Sequence, residues 1–145
     1  MKLQDEDGTR SVELRPAGPV DADDRLVVDA IVHDDTRRWT LTESCLTTDE
    51  ARDLAAWLAG LAEDDTAGAD EWTSLTFAAN TVSMSGHRIP GGTVELRIAV
   101  LRMRAEGTRT TDVVVGLRAP QAEVTAAARE LIGELDAAGR EPGAT

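Results

Sequence analysis

The stretch that most constrains the fold is Arg37 to Glu63, RRWTLTESCLTTDEARDLAAWLAGLAE. It predicts a strand turning sharply into a helix. Trp39 and Leu41 alternate with Thr40 and Thr42, the period of a strand with one buried face. Thr47 can then cap a helix while Glu50, three residues on, reaches back, and Leu46 can pack over the first turn. Beyond this start, Ala51, Leu54, Ala55, Leu58, Leu61 and Ala62 fall at helical spacing, with Trp57 widening the apolar stripe. Asp49, Glu50 and Asp53 place negative charge beside the positive end of the helix dipole. Every local signal agrees, and what they specify is architecture rather than chemistry.

The flanking segments extend the pattern. Met1 to Thr9 is short, acidic and ends near Gly8, which predicts a frayed terminus or a tight turn. Strands are expected at Ser11–Arg15, stopped by Pro16, Gly18 and Pro19, and at Arg25–His33, where Leu26, Val28, Ala30 and Val32 share one face. Asp34-Asp35-Thr36 is expected to turn this strand into the Trp39 strand. After the helix and a polar loop at 64–71, strands are expected at Trp72–Ala79, Thr81–Ser85, Thr93–Arg104 and Arg109–Arg118, with a turn at Gly86–Gly92 and another at Glu106–Thr108. In the Thr93–Arg104 strand, Leu101 and Met103 break the parity of Val94, Leu96, Ile98 and Val100, which predicts a bulge or a doubly covered end. Pro120 suits the first position of a second helix, whose apolar stripe is Val124, Ala128, Leu131, Ile132 and Leu135.

Short connections imply antiparallel pairing, and a sheet with one apolar face needs a second layer. The expected class is therefore α+β: an antiparallel sheet of six or seven strands with two helices on one face, in the order βββαβββ(β)α. With 145 residues the chain can bury a core without staples, and residues 1–139 are expected to form one domain with a loose tail at 140–145. Aromatic residues are only Trp39, Trp57, Trp72 and Phe77, so Val, Leu and Ala must fill most of that core.

Candidate chemistry is sparse. The single Cys45 cannot form an internal disulfide, and no secretion signal or membrane-length apolar run is found, which points to a cytoplasmic protein. Glu43 and Asp49 beside Cys45 would disfavour a thiolate, so the cysteine reads as a small hydrophobe rather than a nucleophile. His33 and His87 lie in different segments and read as surface or rim residues, because a zinc site would need three or four convergent ligands. The glycines Gly86, Gly91 and Gly92 match neither a phosphate loop nor a dinucleotide fingerprint and read as turn residues. No nucleophile–base pair, metal set or cofactor motif can be named, so the expectation is a protein without catalysis and without a cofactor.

Charge is the remaining signal. Residues 1–72 hold 19 Asp and Glu against seven Lys and Arg, a net of −12, whereas residues 73–145 hold eight of each. Such an imbalance disfavours nucleic-acid binding, which depends on Lys and Arg at phosphates. It suits a basic protein partner met through electrostatic steering, although plain solubility would produce the same composition. The acidic turns at Asp23, Asp24, Asp34, Asp35, Asp64 and Asp65 are the candidate partner-binding residues on charge alone. None of them has the spacing of a calcium loop. A competing expectation is a structural or oligomerising module, monomer or homodimer, using Val27, Ile31, Leu101 and Met103 on the parity opposite the main core.

The order of motifs also resembles the WapI family of immunity proteins. The resemblance runs from Leu3-Gln4-Asp5-Glu6-Asp7-Gly8 and the strand Val12–Arg15 through Trp39 and Cys45-Leu46-Thr47-Thr48. It continues in Leu54-Ala55-Ala56-Trp57-Leu58, Leu96-Arg97-Ile98 and the alanine-rich last helix ending in Glu134-Leu135. It implies a small cytoplasmic antitoxin that protects a bacterium from the toxin domain of a contact-dependent, wall-associated protein; taken with the acidic excess, the expected target is a basic toxin domain of a nuclease type. The chain departs from the family pattern at Phe77-Ala78-Ala79-Asn80-Thr81-Val82-Ser83-Met84, where a Glu-Pro pair is expected. That change alters partner choice if the run touches toxin, and alters only geometry if the run shapes a bend.

Overall fold

The computed structural model describes residues 1–17, 24–35, 37–63, 71–77, 79, 81–89, 91–105 and 110–139, with the side chains of 44, 45, 102, 104, 105, 110, 138 and 139 excepted. The elements are β1 (Lys2–Gln4), β2 (Arg10–Pro16), β3 (Arg25–Asp34), β4 (Arg37–Thr47), α1 (Thr48–Glu63), β5 (Thr73–Thr76), β6 (Val82–Ile89), β7 (Thr93–Ala105), β8 (Thr110–Pro120) and α2 (Gln121–Gly139). All strand pairs are antiparallel, and the class is α+β.

The N-terminal segment is not frayed, and the alternative of a tight turn holds: Gly8 takes φ +78° and its amide donates to the Asp5 carbonyl at 2.9 Å. Lys2–Gln4 pairs with Ser11–Glu13 as an additional strand, bringing the described strands to eight rather than six or seven. Met1 and Leu3 are buried because alternation continues to the first residue. The Met1 ammonium donates to the Leu14 carbonyl at 3.0 Å and also meets Glu134 of α2.

Strand β7 is the hub. Along one edge it pairs with β8 from Thr93 to Arg104; along the other it takes β6 at Thr93–Val100 and β4 at Arg104–Ala105. The two halves, β1 to β4 and β5 to β8, therefore join at one end of β7. At its other end the chain closes back, with the Glu6 amide donating to the Arg118 carbonyl at 2.8 Å and the Arg118 amide donating to Asp5 Oδ1 at 2.7 Å. The helices pack on each other and cover the buried face, α1 against β4 and β6, α2 against β1, β2, β7 and β8.

The anticipated bulge exists. Pairing runs Val100↔Val113 and then Met103↔Thr111, so β7 carries one extra residue and Met103 turns into the core, fully buried. Met103 is thereby removed from the set considered for an outer apolar surface, and Leu101 is only half-buried. A second bulge lies between Leu26↔Leu46 and Val27↔Ser44, with Cys45 as the extra residue; its side chain is outside the described set. The α1 start forms as predicted, the Glu50 amide donating to Thr47 Oγ1 at 3.1 Å and the Thr47 amide donating to Glu50 Oε1 at 3.0 Å.

The expected turn at Gly86–Gly92 is shorter than its composition suggests, because Gly86–Ile89 belong to β6 and only Gly91 and Gly92 adopt positive φ. Gly86 is needed for a different reason: a Cβ there would stand 2.8 Å from Leu96 Cδ2, 2.9 Å from Leu61 Cδ1 and 3.2 Å from the Glu95 carbonyl. α1 can lie this close to the sheet only over a glycine. In the departing run, Phe77, Val82 and Met84 are all buried in the core. The turn at 106–108, the loop at 64–70, Thr36 and the tail at 140–145 lie outside the described residues.

Candidate partner-binding site

On β6, β7 and β8 the inward side chains are Val82 and Met84, Val94, Leu96 and Ile98, and Val115 and Leu117. Alternation therefore points His87, Glu95, Arg97, Gly116 and Arg118 outward, and the register sets Glu95 opposite both His87 and Arg118. His87 Nε2 lies 2.9 Å from Glu95 Oε1, and Arg118 Nε donates to Glu95 Oε2 at 3.0 Å. These bonds, the His87 contact first, hold the Glu95 carboxyl below the usual glutamate range. The His87 ring in turn stacks on Trp72, with centroids 4.2 Å apart and planes at 28°. His87 Nδ1 is buried without a hydrogen-bond partner among the described residues. Trp72 itself is 44% exposed, and the Arg97 guanidinium carbon lies 5.3 Å from its ring centroid.

Beside Trp72 a groove of about 440 Å³ runs between β8 and the β1–β2 turn, lined by Asp5, Glu6, Asp7 and Arg10 on the turn side and by Glu95, Arg97 and Arg118 on the sheet side. Asp5 is buried and binds Arg10 Nη2 at 3.3 Å. Asp7 is exposed, and its carboxyl is lowered to about 2, first by the Thr9 amide and then by the Thr9 hydroxyl, both donating to Oδ1 at 2.9 and 2.7 Å.

The structure divides the charged turns chosen from sequence. Asp34 and Asp35 close the β3–β4 hairpin, Asp35 at φ +52°, and the Asp35 amide donates to the Thr9 carbonyl at 3.1 Å. Their turn thus lies against the β1–β2 turn that carries Glu6 and Asp7. Arg10 and Arg37 stand opposite Asp34 in the strand register. Asp24 sits at the other end of the ten-residue β3, roughly 30 Å away. There its carbonyl accepts from the Thr48 amide at 3.1 Å and its carboxylate from the Thr48 hydroxyl at 2.5 Å, tying it to the start of α1. Asp23, Asp64 and Asp65 lie outside the described residues.

His33 is exposed on β3 and His87 belongs to β6, two strands that β4 and β7 separate in the sheet. No group of three or more metal-binding side chains occurs among the described residues, and no described helix is long and apolar enough to cross a membrane. Sequence reading missed the Trp72–His87–Glu95–Arg118 chain. The outward parity of Glu95 and Arg97 was legible, but the register that sets His87 opposite Glu95 was not.

Comparison with known proteins adds one result. No curated protein and no solved structure matches the chain. The family model described as the immunity protein WapI-like family matches residues 2–139, from β1 to the last residue of α2. The chain belongs to the WapI-like family of immunity proteins.

Proposed function

We propose that this chain is a non-catalytic antitoxin that binds and neutralises a basic toxin domain, of a nuclease type, through its acidic surface. The observation that carries the reading is the contact between two acidic turns. Glu6 and Asp7 from β1–β2 and Asp34 and Asp35 from β3–β4 come together through the Asp35–Thr9 hydrogen bond. A rim of carboxylates at one end of the sheet offers Lys and Arg the partners that nucleic acid would otherwise supply as phosphates. Asp24 carries its charge apart from this rim, Asp23, Asp64 and Asp65 are proposed as partner-binding residues on charge alone, and the overall net charge of −12 steers a basic partner from a distance.

A structural or oligomerising role would need a contiguous apolar patch. Among the described residues the exposed large hydrophobic side chains are Trp72 and Val114, which favours the antitoxin reading. The departing run supports a role in shape, since Phe77, Val82 and Met84 point into the core. The test is co-expression of this chain with its cognate toxin domain. Cells are expected to survive and the two chains to co-purify, with protection weakened by replacing Glu6, Asp7, Asp34 and Asp35 with their amides. Death of the cells despite abundant folded protein would refute the reading.

A further inference from the structure

The groove beside Trp72 has features that the acidic rim alone does not explain. Its aromatic wall is braced: Trp72 rests on His87, His87 is held by Glu95, and Glu95 is held by Arg118. A large ring fixed before binding loses little freedom on contact, which is why braced Trp residues dominate many interfaces. Its floor is bare. Gly116 stands opposite Arg97 in the register, and a Cβ at Gly116 would meet nothing within 4 Å.

The charges that line the groove are unevenly satisfied. Arg10 is bound by Asp5 and Arg118 by Glu95, whereas no ion pair among the described residues reaches Glu6 or Asp7. Arg97, which lies over Trp72, is the one lining cation without a carboxylate partner among those residues, so two carboxylates outside ion pairs, Asp7 held by Thr9, face one such cation. With the rest of the chain strongly acidic, the complementary occupant carries positive charge.

We propose that this groove is the anchor point for a basic segment of a protein partner, with a Lys or Arg stem lying along Trp72 and its charged head reaching Glu6 and Asp7. The inference rests on the antitoxin reading and names the part of the surface that fixes the partner's register. A long basic side chain suits both walls, because its methylenes cover an indole while its head stays with carboxylates.

The test uses hexa-arginine and hexaglutamate peptides with the ¹⁵N-labelled full chain, followed by amide and indole NMR signals. Hexa-arginine is expected to shift the Trp72 indole and the Glu6, Asp7 and Gly116 amides saturably, and hexaglutamate to leave them in place. Gly116→Val raises the floor, its Cβ meeting nothing within 4 Å, and the paired change Glu6→Gln with Asp7→Asn removes both carboxylate charges. Each is expected to weaken hexa-arginine binding by about tenfold. Shifts confined to the helix acids Asp49, Asp53 and Glu130, or wild-type affinity in Gly116→Val, would overturn the proposal. So would hexaglutamate taking the groove through Arg97. No toxin is present in this assay, so its failure counts against the groove, whereas a toxin domain that ignores the wild-type chain counts against the antitoxin reading.

Discussion

Replacing Gly86 with alanine probes a close approach between the helical layer and the sheet. The new methyl would fall 2.8 Å from Leu96 Cδ2 and 2.9 Å from Leu61 Cδ1, both flexible ends that can rotate away, and 3.2 Å from the Glu95 carbonyl, which cannot. Overpacking of this kind costs about 1–3 kcal/mol. Alanine also restricts the unfolded chain, which returns about 0.4–1 kcal/mol. The overpacking wins, leaving a net loss of about 1–2 kcal/mol. For a chain of this length that lowers Tm by roughly 3–8 °C, measurable by calorimetry or circular dichroism. Leu61→Ala supplies the internal control, since it removes the α1 side of the clash. The double variant is expected to be more stable than the sum of the single losses by about 0.5 kcal/mol or more. A Gly86→Ala protein as stable as wild type, or strict additivity in the double variant, would refute the packing described for α1 on β6.

Thr47→Ala removes one half of the reciprocal cap at the start of α1 and should cost about 1 kcal/mol in urea unfolding, with an unchanged slope. Leu3→Ala in β1 should cost about 2–5 kcal/mol, because Leu3 is buried where a frayed terminus would have left it exposed; a neutral result would mean that β1 does not form. Acid should loosen the Trp72 brace. The folded Glu95 carboxyl is held below the ordinary glutamate value, so its contribution is present above that value and is lost as pH falls through the lowered one. Glu95→Gln is expected to flatten the stability curve in that acid window, and identical curves would contradict the His87–Glu95–Arg118 arrangement.

Much of the architecture could be read before the coordinates, because it depends on local rules. The Thr47–Glu50 cap, the apolar face of β3 and the bulge in β7 each follow from spacing within a few residues. β1 was missed because a three-residue strand carries too little alternation to outweigh acidic neighbours and a glycine. Gly86 looked like a turn residue because composition cannot distinguish a glycine that bends the chain from one that admits a neighbouring leucine. The candidate site was less legible for a related reason. Asp34 and Asp35 could be picked by charge, but their contact with Thr9 depends on pairing between turns far apart in sequence. Asp24 was equally acidic in sequence, yet the fold ties it to Thr48 at the other end of β3.

Neutralisation of a basic toxin by an acidic rim is tested most directly by stopped-flow association of this chain with its cognate toxin domain, across a salt series. The rate constant should fall by about tenfold or more between roughly 0.01 and 0.5 M salt, as screening shortens the reach of the carboxylates. An association rate indifferent to salt, or no complex at any ionic strength, would contradict it.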